Sequence, residues 1–348
     1  MKIIQKIVIS LIIGTLLIFL WLRYIDFAEL LFYLKQINIL PVIPSIFFYL
    51  MSYFIRSQRL RSLLSHKTII PVFRNYTYVL SGNFVNYLIP IRAGEVIKAY
   101  FYKKNHNIKW AESLPSIFID KFFDTFAIFV VLLLIPFIGI TLSVYLKLLL
   151  VVLVFIFILG FFILFMASLR ENNKFVLVNK SKLSRVYLIM KRIFHKLLLL
   201  LPIKYKDKFY DFIKLFLEGL AIFKNHKRLF PACLVLTLLA TLSDSLFFFL
   251  MFRAFNVHIN FAYILFGYTL IFLSYILPHP PAQIGSNEVI MILIFAIGFG
   301  LDENLVSAVM SFSHVITALV IFITGSLSLA YAGIKLIDFI KNKEIDNE

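Results

Sequence analysis

The chain is built of long uncharged apolar runs separated by short polar stretches that are mostly basic. The run Leu148–Leu169 has the ~20 residues a helix needs to cross ~30 Å of hydrocarbon. No sustained alternation of polar and apolar positions accompanies these runs, so a membrane barrel is excluded and an all-α transmembrane bundle is predicted. Spans are expected at Ile3–Leu22, Ile39–Ile55, Leu114–Ile140, Tyr145–Leu169, Phe230–Phe255, Phe261–Leu277 and Leu305–Ile334. The first has a long apolar core with no small-residue cleavage site after it, and is read as a retained span rather than a signal peptide. Arg23 to Asn38, where charges balance, is read as a loop.

Two segments break the pattern. Val72–Ile91 is apolar but holds Asn75, Ser81, Gly82, Asn83, Asn86 and Pro90, with basic residues on both sides (Arg56, Arg59, Arg61, Lys67 and Arg74 before it; Arg92, Lys98, Lys103, Lys104 and Lys109 after it). Positive charge at both ends predicts a re-entrant hairpin instead of a crossing. Glu288–Gly300, after the breaker-rich stretch Pro278 to Asn287, is ~20 Å of helix at 1.5 Å per residue, too short to cross, and is expected to be a half-helix or one arm of a broken span. About eight crossings and one hairpin result, in a single membrane domain over 1–348, with both termini on the cytoplasmic side of an inner or plasma membrane by the positive-inside rule.

Composition sharpens this. Apolar residues make up 61% and charged residues 15% of 348, against ~45–50% apolar in soluble domains. The net charge of +17 resides beside hydrophobic segments, where it reports orientation and anionic-lipid contact; no nucleic-acid partner is expected. Between Arg170 and Arg228 fifteen Lys or Arg face four Asp or Glu, interleaved with apolar residues, so 170–229 is predicted as a basic amphipathic cytoplasmic segment between two halves. Cys233 is the only cysteine, which excludes an internal disulfide and a cysteine metal site. No cofactor or metal is expected.

The candidate chemistry lies at the breaks. Asn86 to Ile97 and Pro281 to Ile290 both place a proline and a glycine just before Glu-Val-Ile. Paired interruptions in the two halves suggest an internal repeat, and point to a transporter binding site, because broken helices expose backbone groups to a cavity. Helices starting near Gly94 and Gly285 would direct N–H groups at an anion such as a phosphate, with Arg92 adding a bidentate contact. Glu95 and Glu288 then either meet a cationic headgroup or a coupling ion, or cap their own half-helices. Asp120 and Asp124 share one helix face at i,i+4 with Lys121 beside them, which suits substrate contact or an internal salt bridge, Asp124 with Arg92 or Lys98 for instance. Arg56 and Arg59, at the end of the second span, are expected to snorkel to headgroups. Asp244 sits mid-span as a polar contact or an interhelical hydrogen bond, and His314 is expected to be a satisfied core histidine. Phosphate loops and nucleophile elbows are absent from the sequence.

These residues resemble the flippase-like lysylphosphatidylglycerol synthase transmembrane-region family, which includes the membrane domain of the bacterial multiple peptide resistance factor. The resemblance spans nearly the whole chain. Arg56 and Arg59 with Leu60, Leu63 and Leu64 are similar to its basic signature; Asn86, Pro90, Arg92, Gly94 and Glu95 to its N-x-x-x-P-x-R-x-G-E core; Asp120-Lys121-Phe122-Phe123-Asp124 and Gln283 to Glu288 to its acidic and G-G-I-G-x-x-E elements. Pro281-Ala282-Gln283 stands where the family usually has Pro-Gly-Gly, and His314 where it often has arginine. The resemblance implies a translocase for an anionic or aminoacylated phospholipid or a polyprenyl-linked lipid. After the last span only a short charged tail follows, so a lone translocase unit or an accessory subunit of a separately encoded lipid-modifying enzyme is expected. An enzyme in its own right, a membrane-embedded glycosyl- or acyl-transferase with Asp120 or Asp124 as base, is the rival expectation.

Overall fold

The computed structural model describes residues 25–89, 93–138, 203–274 and 280–332, with isolated positions at 15, 16, 19, 21–23, 144, 147, 148, 151, 152 and 155. Every element among them is helical. The expected spans Ile3–Leu22 and Tyr145–Leu169 and the first part of the basic segment lie largely outside the described residues. The chain divides into two compact units, residues 1–143 with 227–348, and residues 144–226.

In the first unit the helices are α1 (Phe27–Lys35), α2 (Val42–Leu64), α3 (Val72–Leu88), α4 (Ala93–His106) and α5 (Trp110–Ile138). The second unit contributes α6 (Ile203–Asn225), which exposes Asp211, Lys214, Glu218 and Lys224 and buries Phe216 and Ile222. The first unit resumes with α7 (Leu229–Ala254), α8 (Phe261–Ser274), a 3-10 turn (Pro281–Gln283), α9 (Ser286–Met291), a π-helical stretch (Ile292–Gly298) and α10 (Glu303–Tyr331).

Two expectations change. The stretch read as a loop contains α1, because Asp26 caps it: its Oδ1 accepts from the backbone N–H of Ala28 at 2.8 Å and of Glu29 at 3.3 Å, and Lys35 sits at the other end of the dipole. The second span does not end at Ile55 but continues as α2 to Leu64. Arg56 and Arg59 are inside the helix and inside the bundle.

α7 and α10 are long and apolar enough to cross a membrane. On α10 one face is buried and the other presents Val315, Leu319, Phe322, Ile323 and Leu327 outward, a stripe that lipid solvates and water does not. By contrast α3 with 17 residues and α4 with 14 reach only about 26 and 21 Å at 1.5 Å per residue. They form a close hairpin, whose backbones meet at Gly82 and Gly94. A Cβ on Gly82 would lie 2.9 Å from the Gly94 carbonyl oxygen, and one on Gly94 would overlap the Gly82 carbonyl. Tyr78 of α3 stacks on Phe101 of α4, centroids 4.8 Å apart, within a core that includes Leu60, Phe84, Val85 and Tyr102. α2 packs along α7, α10 along α3, and α5 against α2, α4, α7 and α8. The functional candidates lie where these contacts converge.

Candidate functional site

Local sequence decides which side chains enter the bundle. On α2, Ser45, Ser52, Arg56, Arg59 and Leu63 recur at helical spacing and are buried. On α7, Cys233, Thr237, Thr241, Asp244 and Ser245 form a matching polar stripe. The two stripes face one another across the α2–α7 contact, with Asp120 and Asp124 of α5 completing the wall.

Arg59 is 0% exposed. Its Nε donates to Asp120 Oδ1 at 2.7 Å, its Nη1 to Thr237 Oγ1 at 2.8 Å and its Nη2 to Asp124 Oδ1 at 2.7 Å. Arg56 donates from Nη2 to Asp244 Oδ2 at 2.5 Å and from Nε to Asp124 Oδ1 at 3.4 Å, with its guanidinium 5.8 Å from the centre of the Tyr53 ring. Neither arginine snorkels: each has charge-assisted partners on two other helices, which outcompete a headgroup at the boundary. Asp124 pairs with these two and stands 3.6 Å from Lys121 Nζ, not with Lys98 as the sequence suggested. Arg92, its other suggested partner, lies outside the described residues together with Pro90.

The hairpin supplies the other side of this cluster. Glu95 is ion-paired with Lys98, accepts from Asn86 Nδ2 at 3.2 Å on Oε1, and has Lys121 Nζ 3.8 Å away. Asn86 also caps the start of α4, its Oδ1 accepting the Gly94 N–H at 2.8 Å. Glu95 is therefore not the cap of its own helix; Asn86 takes that role and leaves the carboxylate to face the cations. The eight charges Arg56, Arg59, Lys98, Lys121, Glu95, Asp120, Asp124 and Asp244 balance. Among them the Lys121 side chain is the outlier, 47% exposed and at 3.6–3.8 Å from its acids beyond hydrogen-bond reach.

The second break is organised differently. Ala282, Gln283 and Gly285 all take left-handed backbone, φ 55°, 60° and 81°, so the chain turns sharply before α9. Glu288 Oε2 accepts the Gly285 N–H at 2.8 Å, and this acid does cap its own helix. Its Oε1 lies 2.6 Å from His314 Nδ1. His314 Nε2 lies 2.7 Å from the Ala282 carbonyl oxygen and 3.1 Å from the Tyr87 hydroxyl. His314 is buried and fully partnered. Asn86 and Tyr87, adjacent at the end of α3, thus reach into the two clusters separately.

Of the sequence candidates, Asn86, Gly94, Glu95, Asp120, Lys121, Asp124, Arg56, Arg59 and Asp244 assemble into one cluster, and Gly285, Glu288 and His314 into another. Sequence reasoning passed over Thr237 and Tyr87. For Thr237 the signal was present, a polar residue at every turn of an otherwise apolar span; for Tyr87 nothing in the pattern marks the contact with His314.

A model described as lysylphosphatidylglycerol synthase TM region matches residues 7–325. The chain belongs to that family. As a member of the lysylphosphatidylglycerol synthase transmembrane-region family it is a membrane protein of lipid metabolism or transport. The family match takes in every residue of both clusters. Comparisons with curated proteins and with solved structures gave no match.

Proposed function

We propose that this chain is a lipid translocase, in which the α3–α4 hairpin and the charged wall of α2, α5 and α7 handle the headgroup of an anionic or aminoacylated phospholipid or a polyprenyl-linked lipid. The observation that carries this reading is the neutral, buried eight-charge cluster with a single half-exposed ammonium, Lys121, at its edge. Charges within a membrane domain are costly to desolvate, and the guanidiniums here are consumed in holding the acids. Lys121 is held loosely enough to turn to a phosphate, with Arg92 next in the chain to α4 as a bidentate partner. Glu95, tied to two lysines and an amide, is placed to meet the ammonium of an aminoacyl or amine headgroup.

The hairpin is re-entrant in this reading, since neither arm alone spans ~30 Å; cysteines at Lys67 and Lys104 then react from the same, cytoplasmic, side. The transferase reading receives less support, because Asp120 and Asp124 are both held in ion pairs with Arg59, a structural role that competes with service as a base. An accessory role beside a separate lipid-modifying enzyme would instead recover one dominant partner on pull-down and leave that enzyme's activity unchanged by motif substitutions. The test is reconstitution of the purified protein into vesicles with labelled phosphatidylglycerol, aminoacylated phosphatidylglycerol and polyprenyl-phosphate lipids. Transfer of at least one class between leaflets, lost on Arg92→Ala and weakened on Arg92→Lys, is expected; no transfer of any class overturns the proposal.

A further inference from the structure

The cluster at the second break contains a proton count that ordinary pairing does not explain. Glu288 Oε1 is 2.6 Å from His314 Nδ1, and the other ring nitrogen, Nε2, is 2.7 Å from the Ala282 carbonyl. A carbonyl oxygen only accepts, so Nε2 carries a hydrogen. A second hydrogen must then lie between Nδ1 and Oε1, because two lone pairs do not approach to 2.6 Å in a buried site. It is immaterial whether it is drawn as imidazolium with carboxylate or imidazole with carboxylic acid: the pair holds the same two protons and is neutral overall. The neighbouring Gly285 N–H occupies the other carboxylate oxygen at 2.8 Å, so Glu288 has no reason to turn away while the proton is present.

We propose that Glu288 and His314 form a proton-binding site that latches the 280–288 turn to α10, and that release of this proton unlatches the turn. Removing the proton leaves one net negative charge in a site that no cation faces among the described residues. The titratable groups that meet the His314 ring are Glu288 from α9 and the Tyr87 hydroxyl from α3, at 3.1 Å. The 3-10 turn contributes a backbone carbonyl. From α1, α2 and α7, which also pack on α10, no titratable side chain is bonded to His314 among the described residues. An uncompensated buried charge is resolved by opening to water or by admitting a cation. Because Nε2 also touches Tyr87, the residue after Asn86, unlatching frees the end of α3 from the second break at the same moment. The latch therefore connects the two broken segments, and this gives the translocase reading a coupling ion, on which reading that part of the inference rests.

The sign follows from linkage. The latched state holds one proton more than the unlatched state, so the latch is complete below the ordinary histidine value of ~6.5 and weakens as pH rises beyond it. With one proton involved, the unlatching equilibrium shifts by up to about tenfold per pH unit above the value at which the unlatched histidine loses its proton, and levels off once the latched form itself titrates.

Two measurements test this without transport. In the full chain with ring-15N histidine, the signal that disappears in His314→Gln is expected to have both nitrogens protonated, or one proton shared in a short hydrogen bond, at pH 6. A signal with one bare, unshared nitrogen at that pH overturns the proposal. Separately, in a Cys233→Ser background, Asn287→Cys probes the latched turn, since Asn287 is 6% exposed, and Ile284→Cys, at 49%, reports thiol ionisation alone. The ratio of their alkylation rates is expected to rise about tenfold per pH unit above the onset. In His314→Arg, whose charge is fixed, the ratio is expected to stay low and flat. A ratio independent of pH in the parent background overturns the latch even where the histidine signal is as expected. Lipid movement in vesicles then separates the two readings: transport indifferent to a pH gradient removes the coupling role and leaves the translocase, whereas a proton-dependent ratio without transport of any lipid leaves the latch and removes the translocase.

Discussion

Two segments with the same Glu-Val-Ile sequence start helices in the two halves of this protein, and the two glutamates do different work. Glu288 turns back to accept the N–H of Gly285, three residues before it, and its remaining oxygen is taken by one histidine. Glu95 leaves its helix start to Asn86 and faces two lysines across the hairpin. The difference originates in what precedes each glutamate. Before α4 stands another helix, close enough at Gly82 and Gly94 for an α3 side chain to supply the cap. Before α9 stands a tight left-handed turn, whose Gln283 side chain bonds the Asn287 side chain and not a backbone N–H, and the glutamate caps its own helix. A repeated sequence motif thus acquires opposite electrostatic roles from its surroundings, one joined to a charge network and the other closed in a local latch.

The sharpest break of this comparison is expected at Arg59. It is the one residue holding both α5 acids and Thr237, so Arg59→Ala takes from the buried Asp120 carboxylate its ion-pair partner and leaves Asp124 to Arg56 and Lys121, at about 3–5 kcal/mol. Loss of the monodisperse peak in detergent size-exclusion is expected, with Arg59→Lys intermediate because one ammonium does not serve three acceptors in fixed directions. Full thermal stability of Arg59→Ala would mean that the cluster does not hold α2, α5 and α7 together.

Next in size is the pair Glu95→Gln and Glu288→Gln in the vesicle assay. The first removes the charge that Lys98 and Lys121 face, an interaction of about 1.5–3 kcal/mol for a charged hydrogen bond, so lipid movement is expected to fall by at least roughly tenfold. The protein is expected to insert and fold, since an amide still accepts from Asn86. In Glu288→Gln the amide oxygen retains the Gly285 contact, and the retained rate is expected to exceed that of Glu95→Gln. Equal losses in both would mean that the two glutamates do the same work.

How much of this was legible in the sequence follows the same divide. Apolar runs marked the long helices, since period and length are local properties, whereas the segment Val72–Ile91, expected to hold a whole hairpin, supplies only α3, and Lys98, Lys103 and Lys104, expected to flank it, lie on the second arm α4. The second break was marked by Pro281, Gly285 and Glu288. What could not be read was partnership. The basic signature on α2 looks like a boundary until Asp120, Asp124 and Asp244 are brought to it from residues about sixty and nearly two hundred positions away. α1 was missed for a smaller reason: with only nine residues its period is short, and the informative feature was the single capping residue Asp26.

A smaller effect is expected outside the charged cluster, where Lys67 Nζ, just beyond α2, meets Glu112 Oε1 in the first turn of α5 at 2.9 Å, both side chains partly exposed. The hydrogen bond from Lys67 and the Lys109 N–H hold the Glu112 carboxyl below its ordinary value. A lowered folded-state value contributes stability above the unfolded value of ~4.3 and loses it as pH falls through the folded one. Solvent screening limits this to about 0–1 kcal/mol. Lys67→Ala is therefore expected to lower the melting temperature slightly at pH 7 and not at all near pH 3; an undiminished difference at the lower pH would assign the effect to packing.

The smallest expected effect is at Ala282, and it is a gain. Its φ of 55° is a conformation that costs an L-residue about 1–2 kcal/mol, and glycine adopts it freely while losing ~0.5–1 kcal/mol of extra chain entropy on folding. Ala282→Gly is then expected to be neutral to about 1 kcal/mol stabilising, read as a small upward shift in thermal unfolding. The carbonyl of residue 282 remains in place to meet His314, so the proton-dependent alkylation ratio is expected to keep its pH onset. Gln283, with φ 60°, does not share this prediction, because its side-chain oxygen accepts from Asn287 Nδ2 at 2.9 Å and glycine there would remove a buried hydrogen bond of about 0.5–1.5 kcal/mol. If Gln283→Gly stabilised and Ala282→Gly did not, the turn would be held by its backbone alone, and the contrast between a networked first break and a latched second one would lose its structural basis.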